Sequence, residues 1–153
     1  MKKVLVIEDD LVAATGYGRL LQANGFAVAS VRDGAAGLRQ LAVFRPDAVI
    51  LDLMLPKVSG LDVLRAIRAD SAFRELPILM VTNACLPIFV SEALEAGANR
   101  IFDKSNDTAL AIIGVLHDLL RTSSDSRLVV PTNTGNPDIC FDTCQDVSGR
   151  RSD

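Results

Sequence analysis

An α/β fold, a doubly wound (βα)₅ unit built on a five-stranded parallel sheet, is predicted by three observations. Short, continuously apolar runs recur along the chain, stretches with the period of an amphipathic helix separate them, and turn-forming residues stand at the junctions. Continuous rather than alternating apolar runs imply strands covered on both faces, which is the situation of a parallel sheet between two helical layers.

The first strand is Lys3-Val4-Leu5-Val6-Ile7, and a helix over residues 11–24 follows, ended by Asn24-Gly25, where glycine can take the left-handed backbone that closes a helix. Ala27-Val28-Ala29-Ser30 forms the second strand and residues 34–44 the second helix, which Pro46 stops before the third strand, Ala48-Val49-Ile50-Leu51. Residues 60–68 form the third helix, Pro77 precedes the fourth strand, Ile78-Leu79-Met80-Val81, and residues 87–96 form a helix that ends at Ala96-Gly97. The short Arg100-Ile101-Phe102 is the fifth strand, and a last helix spans residues 107–121, its apolar face including Leu110, Ile113 and Leu120. From residue 122 to 153 the chain is a polar tail of turn formers without either period, so one domain over residues 1–121 and no effector domain are expected.

The bulk numbers bound the function. At 153 residues and 49% hydrophobic content the chain suits one globular domain. A net charge of −3 lacks the basic surplus that neutralises a row of phosphates, so nucleic-acid binding by this chain alone is not expected. No apolar run approaches the roughly 18–20 residues that span a bilayer, and Glu8 and Asp9 arrive too early for a signal-peptide core, so no membrane contact and a cytoplasmic location are expected. Cys85, Cys140 and Cys144 form neither a zinc pattern nor a disulfide framework with the single histidine, His117, and are expected to be reduced thiols. His117 lies in the last helix and is expected to be a surface or packing residue.

Ligands of open parallel sheets bind beyond the carboxyl ends of the strands. There the first strand runs into Glu8-Asp9-Asp10, the third into Asp52, the fourth into Thr82-Asn83 and the fifth into Asp103-Lys104-Ser105. Taken singly, Glu8 or Asp10 reads as a loop acid or helix cap, Thr82 as a strand-end hydroxyl and Lys104 as a surface charge. Taken together, they are more than solubility requires. Carboxylates packed this closely repel, and a hard cation with oxygen ligands relieves the repulsion, so Mg²⁺ is the expected cofactor, held by Asp9 and Asp52 with a backbone carbonyl nearby. An ionised carboxylate beside a metal and a lysine can act as a nucleophile towards phosphorus, which makes Asp52 the candidate phosphoacceptor.

These residues, in this order and spacing, resemble the receiver domain of bacterial response regulators: Glu8-Asp9, then Asp52-Leu-Met-Leu-Pro56-Lys-Val-Ser-Gly60, Thr82 and Lys104, over residue 1 to about residue 121. The resemblance implies a flavodoxin-like sheet of strand order 2-1-3-4-5 and a two-component phosphorelay function. Asp52 would accept a phosphoryl group from a histidine kinase or histidine phosphotransfer protein, with Asp9 a direct and Glu8 a water-mediated metal ligand and Met54 lending its backbone carbonyl. Thr82 and Lys104 would hold the phosphoryl oxygens, and Pro56 with Gly60 would shape the following loop. Such a domain is a phosphoacceptor rather than an enzyme acting on a substrate pool; it assists its own phosphorylation and dephosphorylation and switches a surface for a downstream target protein.

Three positions depart from the family's habit: Ile101 stands where an aromatic residue is usual, Ser105 where proline is usual, and Asn83 where a small residue is usual. They bear on the coupling of phosphate to the output face. Ile101, β-branched and apolar, is expected to stay packed inside while Phe102 points to the opposite face, leaving switching to backbone movement of residues 82–87. Of the competing readings, a haloacid-dehalogenase-type phosphohydrolase needs a second acid where Met54 stands, and a dinucleotide module would need glycine at Leu21 after Gly16-Tyr17-Gly18. A non-phosphorylated pseudo-receiver should have lost an acid, the threonine or the lysine; the receiver half of a larger effector-bearing regulator stays open.

Overall fold

The computed structural model describes residues 1–83 and 85–124. Five strands, β1 (Lys3–Ile7), β2 (Ala27–Val31), β3 (Ala48–Asp52), β4 (Ile78–Thr82) and β5 (Arg100–Asp103), alternate with α1 (Leu11–Ala23), α2 (Gly34–Phe44), α3 (Gly60–Ala69), α4 (Pro87–Ala96) and α5 (Ala109–Ser124). All strand pairs are parallel and the order is β2-β1-β3-β4-β5, as the resemblance implied.

The continuous apolar runs are covered on both sides. Leu5, Ile7, Val49, Leu51, Ile78, Met80 and Ile101 face Leu41, Val63, Leu64, Ile67, Val90 and Ala93 of α2, α3 and α4. Their strand neighbours Val4, Val6, Ala48, Ile50, Leu79, Val81 and Phe102 face α1 and α5 through Leu21, Ile112, Ile113, Leu116 and Leu120. Each fully buried leucine or isoleucine here contributes about 1.5–3 kcal/mol from desolvation. Ile101 and Phe102 point to opposite faces, both buried, as period-two geometry requires.

Helix ends follow local chemistry. Asp10, Asp33 and Ser59 cap α1, α2 and α3 by accepting from the amides of Val12, Ala36 and Asp62. Gly97, at φ 110°, and Gly25, at φ 89°, supply the left-handed residues after α4 and α1.

Several expectations shift. The last helix begins at Ala109 rather than 107, because the Asp107 carboxylate accepts from the Asp103 amide and is thereby drawn into the preceding turn, leaving Thr108 Oγ1 to accept from Ala111. It also runs past residue 121 to Ser124; the remainder of the expected tail, 125–153, lies outside the described residues. Leu110 is 67% exposed, since the buried stripe of α5 runs through Ile112, Ile113, Leu116 and Leu120. A turn of 3₁₀ helix, Ser71–Phe73, capped by Asp70, was not foreseen. Of the cysteines expected to be reduced thiols, Cys140 and Cys144 lie outside the described residues. His117 is a surface residue whose ring packs 5.1 Å from that of Phe26, centroid to centroid.

The turn from β3 into α3 is the tightest point of the fold. The Gly60 amide donates to Leu53 O at 2.9 Å, and a Cβ on Gly60 would collide with the Asp52 carbonyl and lie 2.7 Å from Leu53 Cα. Gly60→Ala should therefore cost about 2 kcal/mol or more, read as a lowered urea midpoint at unchanged slope. An unshifted midpoint would contradict this close approach.

Candidate functional site

The strand register brings the polar ends of the sheet to one edge. Ile7 pairs with Leu51, Asp52 with Val81 and Thr82 with Asp103, so Glu8, Asp52 and Thr82 sit on neighbouring strands at their carboxyl ends. Lys104 follows β5, its amide donating to Thr82 O at 2.9 Å. Glu8 is 0% exposed, Asp52 3% and Thr82 1%, an unusual depth for groups of this polarity.

The lysine spans the two buried acids. Lys104 Nζ lies 2.5 Å from Glu8 Oε2 and 3.3 Å from Asp52 Oδ2. The other oxygen of each carboxylate is held by backbone: Glu8 Oε1 accepts from Asp10 N at 3.1 Å and Asp52 Oδ1 from Met54 N at 3.1 Å. Both acids are thus oriented and retain lone pairs towards the space between them. Asp9 completes the set: one carboxylate oxygen from each of Glu8, Asp9 and Asp52 lies within 4.8 Å of the others.

The electrostatics are unbalanced in a specific direction. Burial, then the hydrogen bond and negative charge of Glu8, push the Asp52 carboxyl up to about 7, against the opposing pull of Lys104 and the Met54 amide. Burial works against the Lys104 ammonium, but hydrogen bonds and charges from Glu8 and Asp52 outweigh it and hold the pKa above the ordinary lysine value. Three carboxylates against one ammonium leave a deficit of two positive charges. A hard divalent cation with oxygen ligands supplies that charge and fits this donor set.

Of the residues foreseen, Glu8, Asp9, Asp52, Thr82 and Lys104 come together at this edge; Met54, expected to lend its backbone carbonyl, here donates its amide to Asp52, and its side chain is 55% exposed. Asp10 does not join; it caps α1. Asp103, 8% exposed, turns its carboxylate into the following loop, accepting from Ser105 N at 2.8 Å and Asn106 Nδ2 at 3.0 Å. Tyr17 was missed. It lines a cleft of about 440 Å³ together with Asn83, Lys104 and Asp107, and burial raises its hydroxyl to about 12. The signal available was its position two helical turns after Asp10, on the same face of α1.

The chain matches the response regulator receiver domain model over residues 4–113. It is 40% identical over 98 residues to the DNA-binding response regulator MtrA of Mycobacterium tuberculosis, an alignment covering 64% of this chain and 42% of MtrA. Among solved structures it resembles the chemotaxis response regulator CheY4 of Vibrio cholerae, with 27% identity, TM-score 0.72 and coverage of 78% of this chain and 98% of that one. It also resembles the receiver domain of the sensor histidine kinase PA1611 of Pseudomonas aeruginosa, described with a magnesium ion in its active-site cleft, with 28% identity, TM-score 0.72 and the same coverage. The chain spans about half the length of the curated relatives it matches.

The raised Asp52 value fixes a sign. The fold favours the protonated acid, so the associated stability is full below the ordinary carboxylate range and is lost as pH rises through about 7. In EDTA the thermal midpoint should fall between about pH 5.5 and 8, and Mg²⁺ should raise it more at the upper pH, where no proton competes for the site. Asp52→Asn should flatten both trends; a pH-independent Mg²⁺ effect in the unsubstituted chain would contradict the assigned cause.

Proposed function

The chain belongs to the response regulator receiver domains, and from that membership we propose that it accepts a phosphoryl group on Asp52 in a Mg²⁺-dependent reaction and thereby switches a protein-binding surface. The observation that carries this reading is the bridging of buried Glu8 and Asp52 by Lys104 at the carboxyl edge of the sheet, with Asp9 beside them.

In the proposed step an Asp52 carboxylate oxygen forms a bond to phosphorus as the bond from phosphorus to the donor's imidazole nitrogen breaks, the electron pair leaving with that nitrogen. The carboxylate must be ionised to attack, and a group raised to about 7 is only partly so at neutral pH. A Mg²⁺ held by Asp9 and Asp52, with Glu8 through water and the Met54 carbonyl, would complete the ionisation and neutralise the incoming oxygens. Lys104, already within reach of Asp52, would pair with a phosphoryl oxygen, and Thr82 at the end of β4 would donate its hydroxyl to another. These groups make the domain a participant in its own phosphorylation and, with water as nucleophile, its dephosphorylation.

The donor would be a histidine kinase or histidine phosphotransfer protein, encountered in the cytoplasm. Among the described residues no helix is long and apolar enough to cross a membrane. The output of this chain would be a contact with a downstream protein, its net charge of −3 giving no footing on nucleic acid. Since relatives such as MtrA, described as DNA-binding, are about twice as long as the matched region, the domain also fits as the receiver half of an effector-bearing regulator. Residues 1–121 would carry the receiver function, with residues 122–153 outside it.

Incubation with acetyl phosphate and Mg²⁺ should add one phosphoryl mass to the intact chain, and EDTA or Asp52→Asn should abolish it. An increment that survives either treatment would move the chemistry elsewhere. Lys104→Ala is expected to leave Mg²⁺ affinity equal or slightly higher, because a positive charge beside the metal is removed, yet to weaken the response to phosphorylation. Thr82→Ala should accept the phosphoryl group and show a blunted conformational change by amide chemical shift; full switching would remove Thr82 from this role.

A further inference from the structure

Beneath α4 lies a gap too narrow for water, lined by Leu53, Met80, Thr82, Phe89, Val90, Ala93 and Ile101. Among the described residues Thr82 is its one polar wall, and it connects the gap to the phosphoacceptor edge of the sheet. Tight interiors rarely leave such a space beside a polar group, because the lining atoms forgo their dispersion contacts. The walls differ in their freedom to respond. Met80, Val90, Ala93 and Ile101 are each 3% exposed or less, and Ile101 is β-branched besides, so they are boxed in. Phe89 is half-buried, and among the described residues it is the one ring on the gap.

The two ends of α4 are held unequally. Its N-cap, Leu86, makes no side-chain capping bond. At its other end Arg68, from α3, donates to Gly97 O from Nε at 3.0 Å and from Nη2 at 2.8 Å. The same guanidinium reaches Asn99 Oδ1 at 3.1 Å and Phe73 O at 3.2 Å, and Asn99 Oδ1 in turn accepts from Ile78 N at 2.8 Å. One cation therefore pins the C-terminal end of α4 to α3, to the 3₁₀ turn and to the start of β4.

We infer that Phe89 is the positioning residue that passes the state of Thr82 to α4, its ring changing depth in the gap as the helix tilts about the Arg68 clamp. The inference rests on the phosphoacceptor reading of Asp52. When the Thr82 hydroxyl turns to a charged oxygen on Asp52, rotation about χ1 exchanges the methyl and hydroxyl that the side chain presents to the gap. The half-buried ring is the wall able to follow, and the uncapped end of α4, three residues from it, is the end able to move. Ile101 is boxed in on the sheet side, so the wall that can change depth is on the helix.

The test uses the full chain, with amide shifts of α4 read before and after beryllofluoride and Mg²⁺, and intact mass read after acetyl phosphate. The unsubstituted chain is expected to show large shifts at residues 87–91 and small ones at 95–99. Phe89→Leu should at least halve the response at 87–91 while the Asp52 and Thr82 amides still shift and the mass increment is kept. Ala93→Val, which narrows the same gap from the helix side and leaves the ring in place, should give the same loss, and Arg68→Met should spread the response into 95–99. Wild-type α4 shifts in Phe89→Leu, or in Ala93→Val should the first variant not fold, overturn the inference and leave the phosphoacceptor reading intact. An unsubstituted chain with no mass increment overturns that reading and this inference together.

Discussion

The repulsion between two buried carboxylates, Glu8 and Asp52, is the constraint around which this molecule is arranged. Neither is on the surface, and each has one oxygen tied to a backbone amide, so neither can swing out to water. Lys104 answers the repulsion in part, and the residual imbalance shows as an Asp52 carboxyl held near neutrality. A site relaxed to neutrality by protons alone would be a poor nucleophile. The same site with a divalent cation becomes an ionised one, and so the charge deficit and the proposed chemistry are two views of one arrangement.

Holding charges in that posture requires a rigid frame, which the parallel sheet provides. Its central strands are closed on both faces by side chains with almost no exposure, so β1, β3 and β4 cannot slide, and their polar ends stay in register. The frame narrows to a single point behind Asp52, where the turn into α3 comes so near the backbone that only glycine fits. Placement of the candidate phosphoacceptor thus depends as much on Gly60, which carries no chemistry, as on the acids around it.

How much of this was legible in the sequence differed by level. Every strand was placed by its apolar run, and for β1, β3 and β4 near-complete burial on two faces leaves no other composition available. Yet β3, β4 and β5 each end one residue later than their runs, at Asp52, Thr82 and Asp103, where strand backbone carries a polar side chain. A hydrophobicity criterion drops the residues that carry the chemistry, and they were recovered through their joint position at the sheet edge. Tyr17 and Arg68 were not recovered. For Tyr17 the local signal is only its place two turns after Asp10, and an arginine near a helix end has none; their roles depend on distant partners, Lys104 in one case, Gly97 and Asn99 in the other.

Ser105 shows how a departure from the family's habit can be structural rather than neutral. Its amide donates to Asp103 Oδ1 at 2.8 Å, a bond that proline, lacking the N–H, could not make. Asn106 Nδ2 takes the other oxygen of Asp103, and the Asp107 carboxylate accepts from the Asp103 amide at 2.7 Å, so the loop after β5 closes on itself through side chains. That closure fixes the backbone on either side of Lys104 and turns the neighbouring Asp103 carboxylate away from the lysine's ammonium. With Asp103 occupied in this way, Lys104 is left to the acids across the sheet edge, Glu8 and Asp52. The serine amide thereby helps hold the Asp103 carboxylate in the loop, which leaves Lys104 with one set of partners.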